Sequence, residues 1–290
     1  MLDETWSVKR AFNWTRDYLT EKGDEQARLS TEWLLSHACN LSRLEVYIQF
    51  DKPLSIDERE CLREAVRRRA AGEPLQYIVG EVGFRHLTLE VRPEVLIPRP
   101  ETEVLVDLVL KALPAPIEGV ELRVLDLCTG SGCIGLALAS ERPDVKVIAT
   151  DISPEAVALA NSNAKTCNLT DHFVAIEADL FPQIQEFDLI VSNPPYIPTA
   201  DMDALPKEVA DFEPTLALHG GDDGLDIARR ILEETPQYLK KSCAVILELD
   251  VRNVDLACDF AVQLNTYNSV DVECDLSGRR RFVIAETLSS

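Results

Sequence analysis

The sequence predicts an α/β protein: a mostly parallel sheet of seven strands, preceded by a small N-terminal helical bundle and a β-hairpin linker. Two observations carry that expectation. From Ser7 to about Ala71 apolar residues recur at helical spacing. From residue 121 onward short apolar runs alternate with helical segments, the order that places parallel strands between crossover helices. With 290 residues the chain can hold one domain of about 200 residues and a smaller companion.

The first helix runs toward Gly23, a residue suited to a helix C-terminus; the second follows Asp24 with Leu29, Trp33, Leu34 and Ala38 on one face; Ser42 opens the third. Ser55-Ile56-Asp57-Glu58 is a capping box for a fourth, which closes on Arg67-Arg68-Arg69, a basic run that complements the helix dipole from a solvated end. Gly72-Glu73-Pro74 breaks the pattern, and QYIVGEVGFRHLTLEV is expected to form two short strands around Gly80-Glu81-Val82-Gly83. The expected domains are therefore residues 1–73, a linker at 74–95, and 96–290. In LIPRPETEVLVDLVLKAL, Pro100 suits a first helical position and Glu101, Thr102 and Glu103 load the first turn, while Arg99 between two prolines is unusually specific for a connector. Strands are expected at 121–127, 145–151, 172–177, 187–192, 243–249, 267–273 and 281–286, and helices at 132–141, 153–167, 224–241 and 251–263.

Composition narrows the function. A net charge of −21 opposes any partner held mainly through phosphates, and no basic patch interleaved with aromatic residues offsets it, so no direct nucleic-acid partner is expected. The eight cysteines form no CxxC pair and are expected to be reduced. The four histidines lack ligand spacing, so no metal site is expected. The N-terminus MLDETWSVKR carries no apolar run and no stretch reaches the about 18 apolar residues a membrane span needs, so a cytoplasmic protein, with no membrane partner and monomeric, is expected.

The most informative stretch is FDLIVSNPPY. Phe187, Leu189, Ile190 and Val191 form a buried-strand pattern that runs into Asn193-Pro194-Pro195-Tyr196. Each proline fixes its own φ and holds the preceding residue extended, and neither has an N–H. The segment therefore offers acceptors, the Asn193 side-chain oxygen and the Pro194 carbonyl, beside the Tyr196 ring. Such a set receives a planar NH2 group: two acceptors gripping its hydrogens favour the pyramidal nitrogen whose lone pair is free to attack. A plain strand-ending turn is the simpler alternative for these four residues.

A ligand turn precedes it. Leu122 to Leu127 is a strand, and Cys128-Thr129-Gly130-Ser131-Gly132 leads into a helix of small apolar residues, a turn that lets a ligand approach backbone N–H groups. It lacks both the full GxGxxG of dinucleotide folds and the lysine of a P-loop. Asp151 ends the second strand, where an acid can accept both hydroxyls of a ribose; it can also simply cap the helix that Ser153-Pro154-Glu155 opens. Asp179 ends the third strand and would suit an adenine amine, with Leu180 packing on the ring. Gly220 to Asp226, GGDDGLD, lacks the ligand series of a calcium loop and is expected to be a glycine turn into a helix.

Together VLDLCTGSGCIGLALA, TDIS, EADLF and SNPPY resemble S-adenosylmethionine-dependent methyltransferases acting on planar nitrogens. PLQYIVGEVGFRHL, LIPRPETEVLVD, FEPTLALHGGDDGLDIARRI and DLSGRRR narrow the resemblance to the release factor glutamine methyltransferase family, known as PrmC or HemK, over about 200 residues from Pro74. The resemblance implies a Rossmann-like methyltransferase sheet and a helical domain that docks the substrate. It implies methyl transfer from S-adenosylmethionine to N5 of the glutamine in the GGQ motif of class I peptide chain release factors, with S-adenosylhomocysteine as product. It further implies that Asn193, Pro194, Pro195 and Tyr196 grip the amide, and that Cys128, Thr129, Gly130, Ser131, Gly132, Asp151, Asp179, Leu180 and Asn193 hold the cofactor. Three positions depart from the family pattern: Cys128 stands where glycine is usual, Leu180 where an aromatic ring is common, and ELDVRNVDLACDF replaces EIGxxQ, a change expected at the back face of the domain. The competing reading is an N6-adenine nucleic-acid methyltransferase, whose flipped base would present the same NH2; a non-catalytic binding module with the same fold is a third.

Overall fold

The structure, a computed structural model, describes residues 6–183 and 186–288. Its contacts divide it into two units, one comprising residues up to Glu81 with Pro206–Phe212, the other Val82–Leu205 with Glu213 onward.

The first unit holds α1 (Val8–Glu21), α2 (Ala27–Cys39), α3 (Arg43–Ile48), α4 (Ile56–Ala70) and α5 (Leu75–Val79) around Leu19, Leu34, Leu35, Val46, Leu62, Val66 and Ile78. Ser42 and Ser55 each cap a helix reciprocally with the glutamate three residues on, so both capping boxes form. The Arg67-Arg68-Arg69 run is less solvated than its sequence suggests. Arg67 pairs with Glu64 on the surface, but Arg68 donates to Glu73 at 2.8 Å, and Arg69, with 13% of its side chain exposed, pairs with Asp24 at 2.9 Å and Glu208 at 3.1 Å. Truncating Arg69 would leave buried Asp24 without its ion partner, a more costly loss than any surface pair.

The segment after Pro74 differs from expectation. Leu75–Val79 is a short helix closed by Gly80 at φ +86°, so β1 (Glu81–Phe84) and β2 (Leu87–Glu90) turn at Arg85 and His86, the former at φ +50°. Gly80 takes the left-handed position that ends a helix, which uses up the glycine expected to make the hairpin turn.

In the second unit α6 (Thr102–Ala112) is followed by β3 (Leu122–Leu127), α7 (Cys133–Glu141), β4 (Val145–Asp151), α8 (Pro154–Thr166), β5 (Phe173–Glu177) and β6 (Phe187–Ser192). Then come α9 (Lys207–Ala210) of the first unit, α10 (Thr215–Leu218), α11 (Asp226–Glu234), β7 (Leu239–Glu248), α12 (Val254–Gln263), β8 (Tyr267–Cys274) and β9 (Arg280–Thr287). Helix α11 is shorter than the expected 224–241. It ends at Glu234, Thr235–Gln237 forms a 3-10 turn, and β7 starts at Leu239, because Pro236 lacks the N–H that would continue an α-helix.

Among the described residues seven strands form one sheet in the order β5-β4-β3-β6-β7-β9-β8, parallel except for β9. Both faces are apolar. Val124, Leu189, Val191 and Ile246 pack with α6 and α7 on one side, while Leu125, Phe187, Ile190 and Val245 pack with α11 and α12 on the other, so successive strand residues alternate between two buried layers. The chain leaves β3 toward β4 on one side and returns to β6 on the other, which makes the β3/β6 boundary the point where such sheets bind ligands. Register brings the functional strand ends level: Leu127 pairs with both Thr150 and Ser192, and Ser192 with Leu247. Cys128, Asp151, Asn193 and Glu248 are each the next residue in their own strand.

Candidate active site

A cavity of about 250 Å³ opens at this boundary, lined by the turn after β3, the ends of β4 and β6, and the segment before α6. Asp126, fully buried, organises the first turn. Its Oδ2 accepts from the Thr129 hydroxyl at 2.7 Å and from the Gly135 N–H at 3.1 Å, joining strand, turn and α7. Burial pushes this carboxyl up to about 7, and the two donors pull it only partly back. Cys128 sits at φ +56°, so the position where the resemblance favours glycine does adopt the left-handed backbone, at roughly 1 kcal/mol for a residue with a Cβ. Burial, with Asp151 nearby, pushes its thiol up to about 12, which keeps it protonated near neutrality.

Asp151 fills two roles at once. Oδ1 accepts from the Ser153 N–H at 3.0 Å and Oδ2 from the Gly130 N–H at 2.9 Å, tying β4 to the glycine turn, while α8 itself is capped by the Ser153 hydroxyl accepting from Ala156 at 3.1 Å. The carboxyl still lies on the cavity wall, its pKa raised by burial against those donors. The Ser131 hydroxyl, in the same wall, is buried with no hydrogen-bond partner among the described residues. A buried orphan hydroxyl beside an acid and a glycine turn is what a polar ligand would satisfy. Asp179 and Leu180 also line the cavity, but both oxygens of Asp179 are held by Arg230 of α11 at 3.1 and 3.0 Å. Leu180 stands at φ +65°, its carbonyl accepting from the buried Thr150 hydroxyl at 2.6 Å.

The prolines of the second turn divide its residues. Asn193 and Pro195 line the cavity; Pro194 and Tyr196 do not. An extended backbone sends alternate residues to opposite sides, and Tyr196 accordingly packs in the apolar layer around Leu247, Leu249 and Val254. The ring expected beside the acceptors is half-buried against that layer. Burial pushes its hydroxyl up to about 12. The Asn193 Nδ2 donates to the Thr102 hydroxyl at 3.3 Å, which leaves Oδ1 as the acceptor of that amide.

Sequence reasoning missed what stands behind this turn. The Asn253 Nδ2 donates to the Tyr196 carbonyl at 2.9 Å, and Ile197 pairs with the 218–220 strand-like segment through its N–H and carbonyl, at 2.8 and 2.9 Å. Gly220 and Gly224 press against the turn so closely that a Cβ on Gly220 would lie 2.7 Å from the Pro195 carbonyl, and one on Gly224 2.3 Å from the Tyr196 carbonyl. GGDDGLD is thus a brace for NPPY as well as a turn into α11, and the divergent ELDVRN segment reaches the site through Asn253 and Glu248 instead of lying at the back face. Glu248 is buried beside Thr102, whose hydroxyl favours its charged form, but burial outweighs this and pushes it up to about 7. A single acid flush with the end of the apolar run AVILEL was the signal that could have singled it out.

Residues 10–80 match the family model described as PrmC N-terminal domain, and residues 102–208 that of the methyltransferase small domain. A release factor glutamine methyltransferase of Geobacter sulfurreducens is 47% identical over 250 residues, 86% of either chain. One of Rhodopirellula baltica is 38% identical over 285 residues, 97% of this chain and 96% of that one. A solved methyltransferase from Pyrococcus furiosus superposes with a TM-score of 0.52 at 21% identity, covering 71% of this chain and 91% of its own, a likeness of fold alone.

Proposed function

This chain belongs to the release factor glutamine methyltransferase family, and from that premise we infer how its own residues perform the family's reaction. It is an S-adenosylmethionine-dependent methyltransferase that transfers a methyl group to the side-chain amide N5 of the GGQ glutamine of class I peptide chain release factors. Relatives at 37–47% identity all bearing that name disfavour the N6-adenine alternative. S-adenosylmethionine supplies the electrophilic methyl group. The residues present fit it: Asp151 would take the ribose hydroxyls, the Cys128 to Gly132 turn the amino-acid end, the orphan Ser131 hydroxyl a polar contact, and Leu180 the adenine face. Asp179, already bidentate to Arg230, would meet the adenine amine with the lone pairs that pairing leaves on its oxygens.

At the acceptor turn, Asn193 Oδ1 on the cavity wall and the Pro194 carbonyl next to it, outside that lining, would accept the two hydrogens of the glutamine amide. An amide nitrogen attacks poorly because its lone pair is delocalised; two fixed acceptors favour the localised geometry without a base. Tyr196 and Pro195 would hold the acceptors in place, Tyr196 half-buried against the core. The carrying observation is that the acceptor turn and the ligand turn, 65 residues apart by the Leu127–Ser192 pairing, open on one cavity. We assign the helical unit to substrate docking and place the protein, as a monomer that binds no nucleic acid directly, in the cytoplasm; no helix among the described residues is long and apolar enough to cross a membrane. Incubation with labelled S-adenosylmethionine and either a release factor or adenine-containing nucleic acid tests the substrate: label should enter the release factor, and label found only in nucleic acid would overturn the assignment.

A further inference from the structure

Glu248 does nothing in the scheme above, yet the fold keeps it where an acid is expensive. Its neighbours Leu247 and Leu249 are apolar and fully buried, and it is 1% exposed with the Thr102 hydroxyl beside it as a hydrogen-bond donor. A buried carboxyl with so few partners is costly to the fold. The groups that face it are Thr102 and Glu101 at the start of α6, Arg99 before it, Arg281 of β9, Tyr196 of the acceptor turn and Cys133 of α7. Arg281 is itself short of partners, its buried Nε making no hydrogen bond and lying 3.5 Å from Asp275. The two arginines and Thr102 favour the carboxylate; burial and Glu101 oppose it.

Thr102 connects Glu248 to the acceptor turn. Its hydroxyl, also buried, accepts from Asn193 Nδ2. A hydroxyl has one proton, and while its oxygen accepts from Asn193 that proton needs another acceptor. Glu248 is the adjacent one.

We propose that Glu248 is a positioning residue for methyl transfer: as a carboxylate it accepts a hydrogen bond from the Thr102 hydroxyl, so Thr102 accepts from Asn193 Nδ2 and Asn193 presents Oδ1 to the substrate amide. This rests on the reading of Asn193 as the amide acceptor. With Glu248 protonated the chain of donors reverses. Glu248 donates to Thr102, Thr102 donates to Asn193, and the turned carboxamide meets the substrate NH2 with its own NH2. Turnover therefore falls as pH drops through the titration of Glu248, while cofactor affinity, carried mainly by the turn after β3 and by Asp151, changes much less.

The test measures kcat between about pH 5.5 and 8.5 on the full chain with a release factor, together with S-adenosylhomocysteine affinity. Wild type should show a rise in kcat with a midpoint at about 7, and the isosteric Glu248→Gln should lack that rise. Thr102→Val should lower kcat about 10- to 100-fold at the upper pH with product affinity within about twofold, Thr102→Ser should recover most of it, and Glu248→Gln added to Thr102→Val should change nothing further. A rise that persists in Glu248→Gln, or wild-type kcat in Thr102→Val, overturns the proposal. Should Thr102→Val lose product binding through misfolding, the pH profile of Glu248→Gln decides alone. Full turnover in Asn193→Ala would instead remove the underlying reading, an outcome separate from failure at Thr102 or Glu248.

Discussion

The turn after β3 and the turn after β6 leave neighbouring strands at the same level, but they are built from opposite residues. Cys128 to Gly132 bends through the left-handed region three times, at Cys128, Gly130 and Gly132, and its Thr129, Gly130 and Gly132 N–H groups donate to Thr150, Asp151 and Thr129. Asn193 to Tyr196 runs extended, and its two prolines delete N–H groups, leaving acceptors. The first is held from within, by buried Asp126 drawing Thr129 and Gly135 together. The second has no internal hydrogen bond to hold it and is braced from outside by Asn253, by Thr102 and by two glycines that let another loop touch its backbone. A turn that keeps its N–H groups can thus be held by hydrogen bonds of its own, whereas a turn of prolines, which lacks them, needs neighbours to fix it.

If that contrast is right, the stability of the turn after β3 should titrate through its own buried acid, whereas the turn after β6 responds to pH only through Glu248 behind it. Asp126 has its folded pKa raised from 3.8 to about 7, so the native state holds its proton more tightly than the unfolded chain. Its contribution to stability is therefore fully present below about pH 4 and is lost as pH rises toward 7, by up to about 4 kcal/mol. Urea midpoints of wild type should fall across that window relative to Asp126→Asn; parallel profiles would show that the acid is not held as described.

Removing the acceptor itself comes next. Asn193→Ala should lower kcat by about 10²–10³, roughly 3–4 kcal/mol, with S-adenosylhomocysteine affinity little changed. Wild-type turnover would show that the turn is only a strand ending. The brace is tested by Gly224→Ala, whose Cβ would meet the Tyr196 carbonyl and Asn253 Nδ2 at 2.3 and 2.4 Å on a backbone at φ +80°. It should destabilise by about 1–3 kcal/mol and depress kcat more than product affinity. An equal loss in both would mean that the loop supports the whole cavity and not this turn. The smallest effect is expected at Cys128→Gly, which removes a Cβ from φ +56° and should stabilise the fold by at most about 1 kcal/mol. A loss instead would show that the thiol packs usefully.

The pieces of the site that were legible in the sequence are those carried by local chemistry. Asn193 and Asp151 follow strands whose alternation is plain, and the register of β3 with β4 and β6 does bring them to one cavity. Errors of extent arose where two local signals competed. Gly80 could end a helix or turn a hairpin, and helical spacing ran past Glu234 until Pro236 stopped it. Tyr196 does not line the cavity with Asn193 and Pro195, since the motif reads as a unit in sequence but an extended backbone divides it by parity.

From composition and pattern alone, the sequence determined that an α/β sheet would form, which residues would end its strands, and that one turn would offer donors and the other acceptors. Only the tertiary structure decided which of those ends face each other. The strand order places β6 between β3 and β7, and that adjacency sets Glu248 level with Asn193, Arg230 against Asp179, and Gly224 against Tyr196. Period-two alternation fixes the face a residue takes on its own strand, but it carries no information about which strand lies beside it, so contacts made across the ends of the sheet emerge only when the crossovers have closed.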